Sequence, residues 1–230
     1  YKQALKAAPK NADVHFNYGE LLYVMGKQNK AVEHYTLAIA ADKGHAGAQF
    51  RLGEAYHAQD KRKEAIKAYR AAAAADPKLA AEASYKIGNV YFRMGKTQLE
   101  IGEYLDALKN NAKHVRARIA LGFAYARLRS YKQALKHLDR VAKEAPKNSV
   151  GHYYRAFVLY NTGKVDAALV AYRRAAQLRP SFAEAHYYMG KIYEERKEKA
   201  KAIAAFKAAL KANPKYNEAT LALAKLQKGQ

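Results

Sequence analysis

One spacing limits what this chain can fold into. The series Leu52, Gly53 and Tyr56, then Ala65, Tyr69 and Ala72, then Pro77, comes back along the 230 residues at steps of 34, 35, 34, 34, 34 and 34. Leu52 and Tyr56 stand at i and i+4 with Gly53 beside them, and Ala65, Tyr69 and Ala72 at i, i+4 and i+7, so each group marks one side of a helix. Asp60 to Lys63 form a polar turn between the two, and Pro77 breaks the chain after the second. Gly53 and Ala65 are small where the antiparallel helices cross. The unit is a helical hairpin with a sticky face on each side, and such units stack in layers around a continuous core.

Numbering each unit so that its small first-helix residue is the eighth position, the repeats run 12–45, 46–79, 81–114, 115–148, 149–182 and 183–216, with 1–11 as the end of a preceding repeat and 217–230 as a capping helix, all in a single 1–230 solenoid. The eighth column reads Gly19, Gly53, Gly88, Gly122, Ala156, Gly190 and Ala224. The twentieth reads Ala31, Ala65, Glu100, Ala134, Ala168 and Ala202, and the twenty-fourth Tyr35, Tyr69, Tyr104, Leu138, Tyr172 and Phe206. All five prolines share the thirty-second. Tyr1 to Pro9 fit the tail of a second helix, which predicts a preceding hairpin cut in half and any targeting segment missing. The third repeat is expected to be irregular. Either Glu100 occupies the small column and Gly102 sits mid-helix, the frame preferred here, or the second helix starts near Gly102.

The formal charge of +22 predicts attraction to anionic surfaces. It is uneven: residues 1–114 hold 18 Lys+Arg against 12 Asp+Glu, and 115–230 hold 24 against 8. The absence of cysteine excludes disulfides and thiolate metal sites. No apolar run approaches the roughly 20 residues that cross a bilayer.

A 34-residue hairpin with small residues at positions 8, 20 and 27, aromatics at 11 and 24 and Pro at 32 resembles the tetratricopeptide repeat over essentially the whole chain. The resemblance implies an all-α, right-handed superhelical solenoid of antiparallel hairpins, six full repeats plus partial terminal helices. Departures are His15, His152 and His186 where many members carry Trp, Arg155 in the apolar seventh column, and Glu100. The family's first helices line a concave groove through positions 2, 5, 9, 12 and 13. Candidate partner-binding residues are therefore Phe16, Tyr23, Phe50, Tyr85, Asn89, Phe92, Arg93, Arg116, Phe123, Arg127, Tyr153, Phe157, Tyr160 and Tyr187. Such a stripe suits a peptide or helix of a partner protein; the same aromatics could instead pack between hairpins. Phe123 and Phe157, at the usually polar ninth position, favour binding. Groove charges change from Asp13, Glu20, Glu54 and Glu82 to Lys86, Arg93, Arg116 and Arg127. The Lys and Asn pair by which some members clamp a peptide carboxylate is absent. Lys132, Lys136, Lys143, Arg173, Arg174, Lys207 and Lys211 fall on second helices, as a solvated basic convex face or a docking surface for an anionic partner.

Gly95-Lys96-Thr97 lacks the earlier glycine and the strand of a phosphate loop, and reads as a hairpin turn. No His pair has zincin spacing and no carboxylate pair has a catalytic setting, so neither enzyme, metal nor cofactor is expected. The expectation is a protein-binding scaffold with a groove contact, a second basic contact and a capacity to self-associate. The Ala-rich repeats look bacterial; the magnetosome-associated scaffold and the type IV pilotins are bacterial proteins of similar repeat number, and no residue here discriminates between them. Docking to an anionic membrane is an alternative. Nucleic acid is a weaker one, because the columns in which helical RNA readers carry paired code residues are irregular here. Compartment is left open between cytoplasm and periplasm.

Overall fold

A computed structural model describes residues 1–228. Among them every regular element is helical, and the helices sort into two compact units, Tyr1–Ala117 and Arg118–Gln230. The N-terminal unit holds α1 (Lys2–Ala7), α2 (Ala12–Val24), α3 (Gln28–Ala41), α4 (Ala46–Ala58), α5 (Arg62–Ala75), α6 (Ala80–Arg93) and α7 (Thr97–Asn110). Next comes α8 (Val115–Arg127), whose first three residues belong to that unit. The C-terminal unit continues with α9 (Tyr131–Glu144), α10 (Ser149–Asn161), α11 (Val165–Leu178), α12 (Ala183–Glu195), α13 (Lys199–Ala212) and α14 (Asn217–Lys228). No described helix is long and apolar enough to cross a membrane.

Within a hairpin the small columns do what their size requires. A Cβ added to Gly19, Gly53 or Gly190 would stand 2.5–2.8 Å from the ring of Tyr35, Tyr69 or Phe206, and one on Gly88 would lie closer still to Tyr104. The aromatic ring of the second helix thus lies against first-helix backbone where these glycines leave no room for a Cβ, while the fifth repeat fits Ala156 beside Tyr172. Ala31, Ala65, Ala134, Ala168 and Ala202 of the twentieth column are fully buried.

The turn between helices has one fixed feature. Its residue at position 15 takes a left-handed conformation: Gly26, Gly95 and Gly163 at φ 73°, 68° and 74°, and Asp60, Arg129 and Lys197 at 59°, 57° and 59°. Gly95-Lys96-Thr97 is one of these turns. Between hairpins, Asp42, Asp76, Asn111 and Asn213 accept from the backbone N–H two residues on, at 2.8–3.0 Å, and close the exit from the second helix. The histidines standing in the tryptophan column keep a donor there: Nε2 of His15, His152 and His186 lies 3.0 Å from the carbonyl of Pro9, Pro146 and Pro180, and Gln49 Nε2 donates to Lys43 in the same way at 2.7 Å.

The third repeat is more regular than expected. The extra residue is absorbed by a 3-10 turn at Pro77–Leu79 that runs straight into α6. Helix α7 has 14 residues, as do α3 and α5. Glu100 is buried at 1% exposure inside it and Gly102 faces solvent, so the unshifted frame holds.

Candidate functional site

On the first-helix face of the N-terminal unit the charged residues are spent on one another. Arg51 donates to Glu20 at 2.8 Å and to Glu54 at 2.7 Å, and Lys86 reaches Glu54 at 2.5 Å. The links from Glu20 to Arg51 and from Glu54 to Lys86 join position 9 of one repeat to position 6 of the next. Tyr35 adds a hydroxyl donated to Glu20 at 2.6 Å, and Tyr104 donates to Asn89 at 2.8 Å. Burial disfavours the Glu54 carboxylate, but hydrogen bonds from Lys86 and Arg51 outweigh it and hold its pKa below the usual range. Glu82 pairs with Arg116 at 2.7 Å and His114 at 3.0 Å, and Arg93 lies 3.5 Å from Asp60. Of the acids and bases read from the sequence, Glu20, Glu54, Glu82, Lys86, Arg93 and Arg116 thus stand in cross-hairpin ion pairs.

In the C-terminal unit the same two positions are aromatic. Phe123 at position 9 packs tilted, at 35°, against Tyr154 at position 6 of the following repeat, 4.7 Å between centroids, and Phe157 meets Tyr188 edge-on at 6.5 Å. Tyr188 also lies parallel to Tyr172 at 5.4 Å and 6°. The phenol of Tyr172 is fully buried with no hydrogen-bond partner, because the acceptor that Glu20 or Asn89 supplies elsewhere is here Phe157. Tyr153 and Tyr187 continue the ring contacts to Phe182 at 4.8 Å and Tyr216 at 5.1 Å. Tyr160 donates to Glu195, and burial together with that bond pushes its pKa up to about 12. Arg127 sits over Phe123, 5.8 Å from the ring centre.

Profiles of two descriptions match the chain, "TPR repeat" over residues 53–95 and 158–197 and "Tetratricopeptide repeat" over 1–33, 85–149 and 183–216. The chain belongs to the tetratricopeptide-repeat family. Solved structures agree in fold. YrrB, described as a TPR protein with an unusual peptide-binding site, is 24% identical with a TM-score of 0.63, over 83% of this chain and 98% of its own. PilF of Pseudomonas aeruginosa is 17% identical with a TM-score of 0.77, over 95% and 97%. MamA of Desulfovibrio magneticus is 18% identical with a TM-score of 0.64, over 74% and 96%. No curated protein matches at a significant level. Tetratricopeptide repeats serve as protein-interaction scaffolds, and that is the general class of this chain.

The position-5 aromatics of this tetratricopeptide chain are wedged between hairpins. Phe16 lies between Tyr35 and His45, Tyr85 between Tyr104 and His114, and Tyr187 between Phe206 and Tyr216, at 4.9–6.1 Å. Phe50 packs on Tyr69 at 5.3 Å. Tyr23 is half-buried beside Leu22, while Phe92 is 45% exposed. Four position-6 residues, Arg51, Lys86, Tyr154 and Tyr188, complete these contacts, and of them only Lys86 stood among the groove charges expected from the sequence. The readable signal was a pairing in four places: opposite charges in Glu20 with Arg51 and Glu54 with Lys86, and rings in Phe123 with Tyr154 and Phe157 with Tyr188, while Lys191 and Ala222 at the same two positions do not follow it.

On the second helices Lys132, Lys136, Lys143, Arg174, Lys207 and Lys211 are exposed, and no carboxylate among the described residues pairs with them. Arg173 donates to the Tyr193 hydroxyl at 3.3 Å. Arg155 leaves its apolar column by reaching Asp139 at 2.6 Å. No group of three metal-binding side chains exists among the described residues.

Proposed function

We propose that this protein is a non-catalytic scaffold that holds an apolar or aromatic segment of a partner protein on the first-helix face of its C-terminal unit. The carrying observation is the pair of aromatic rungs, Phe123 with Tyr154 and Phe157 with Tyr188, where the N-terminal unit has ion pairs. A ligand on the ionic rungs must first break satisfied pairs, which costs about what it returns. The half-buried rings of the aromatic rungs keep apolar area that a partner can cover at roughly 25 cal/mol per Å², and aromatic side chains dominate the energetics of such contacts. The peptide-binding site ascribed to YrrB supports a peptide as occupant. The unpaired cations of α9, α11 and α13 supply a second contact for an acidic surface, of a partner or of another copy of the chain.

The test is comparative capture from the cells of origin. Phe123→Ser with Phe157→Ser should remove the partners that the wild-type chain retains while the helical circular-dichroism signal stays the same. Retention of the same partners by the variant would move the site off this face.

A further inference from the structure

Repeats two and five carry the same shallow depression between first and second helix, with opposite chemistry. In repeat two it measures about 320 Å³ and is lined by Leu52, Tyr56 and Ala71 together with Ile39 of the preceding repeat, with Glu64 and Lys67 also lining it. In repeat five it measures about 340 Å³, and its wall is His152, Arg155, Arg173 and Arg174 around Val170. Position by position, Leu52 has become Arg155, Ala71 has become Arg174, and Lys67 has become Val170, which is 63% exposed.

The charges there are unequally matched. Arg155 is committed to Asp139 at 2.6 Å. In repeat two Arg70 pairs with Glu103 at 3.0 Å, but among the described residues its counterpart Arg173 meets the neutral phenol of Tyr193 at 3.3 Å and no carboxylate. Among the described residues Arg174 pairs with no carboxylate either. Two guanidinium groups therefore border one small depression without a counter-ion, next to exposed apolar surface.

We propose that this depression binds a phosphate monoester carried on a side chain of a partner protein. A monoester carries about −1.5 to −2 at neutral pH and so balances two unmatched guanidinium groups, as a single carboxylate does not. The planar forks of Arg173 and Arg174 can each donate two bonds to a tetrahedral oxyanion, and Val170 offers the alkyl or aryl stem an apolar contact. The space admits one side chain, which favours a protein segment over the plane of a membrane. This deepens the basic second contact of the proposed scaffold and is independent of the aromatic rungs.

The probe is a phosphotyrosine peptide flanked by alanines, titrated calorimetrically into the full chain at physiological salt, beside the same peptide with tyrosine or glutamate in its place. Saturable binding of the phosphopeptide alone is expected. Arg173→Gln with Arg174→Gln should weaken it about tenfold or more, and Arg174→Gln alone, at an exposed residue, should weaken it part of the way. Lys27→Gln with Lys30→Gln, an equal loss of charge at the start of α3, should leave it within about twofold, as should Phe123→Ser with Phe157→Ser, which separates this site from the groove. Absence of saturation, equal binding of the glutamate peptide, or equal weakening by the two charge-matched double variants would overturn the proposal. So would retention by vesicles containing phosphatidic acid with no binding of the phosphopeptide, which would assign the basic face to a membrane.

Discussion

The hydroxyl of Tyr35 donates to Glu20 across 2.6 Å, and the residue standing to Tyr172 as Glu20 stands to Tyr35 is Phe157. The two phenols share a column and a depth of burial but not a partner. Tyr172→Phe removes a buried, unsatisfied hydroxyl and should raise stability by about 1 kcal/mol, whereas Tyr35→Phe gives up a bond to a carboxylate and should cost about 1.5–3 kcal/mol. Denaturant melts of the two variants should move in opposite directions.

Gly88 and Gly102 both lie inside helices and should respond oppositely to alanine. A Cβ on Gly88 collides with the Tyr104 ring, while one on Gly102 meets nothing within 4 Å. Gly88→Ala should cost about 1–3 kcal/mol through overpacking. Gly102→Ala should add about 0.5–1 kcal/mol, because an exposed mid-helix glycine loses more backbone freedom on folding. Thermal unfolding of the two variants checks the pair.

Lys197 holds φ at 59° where Gly26, Gly95 and Gly163 hold the same turn without a Cβ. A left-handed L-residue costs roughly 1–2 kcal/mol, part of which is returned as the greater freedom of glycine in the unfolded chain. Lys197→Gly should stabilise by about 0.5–1 kcal/mol, and Gly163→Lys should destabilise by a similar amount. A Lys197→Gly variant that unfolds more easily than wild type would contradict the turn geometry.

Burial, reinforced by Arg118, Lys136 and Arg140, lowers the pKa of His137 from 6.5 to about 4. Between those values the unfolded chain binds a proton that the folded chain refuses, so stability rises with pH across this window and is lost as pH falls from 6.5 toward 4. His34 and His57, lowered chiefly by burial, act in the same direction. Denaturation midpoints should fall over that range, and His137→Gln should flatten the fall without abolishing it. An unchanged slope in the variant would remove His137 from the account.

Much of the fold was legible because helix crossings demand small residues at fixed intervals, and Gly19, Gly53, Ala31 and Ala65 stand at those intervals. The left-handed turn residue was harder to see, since its column reads Gly26, Asp60, Gly95, Arg129, Gly163 and Lys197, with no common side chain. The rungs were hidden for a different reason. A single column shows Glu20, Glu54, Phe123 and Phe157 as if each faced a ligand, and only the adjoining hairpin brings Arg51, Lys86, Tyr154 and Tyr188 against them. Phe123 and Phe157 stood out because they broke the polarity of their column, but the rings they meet lie in a position the groove pattern omits.

Because each rung is shared between two hairpins, the 34-residue repeat is not the unit that can be copied or exchanged. A duplication of repeat two would set the Glu54 of one copy against the Arg51 of the next and keep an ionic rung. Moving repeat five behind repeat two would set Tyr154 against Glu54, leaving the carboxylate facing a ring in place of its lysine. Inheritance in this array is therefore by seam, and a change in the character of a face must begin at two residues in neighbouring repeats together.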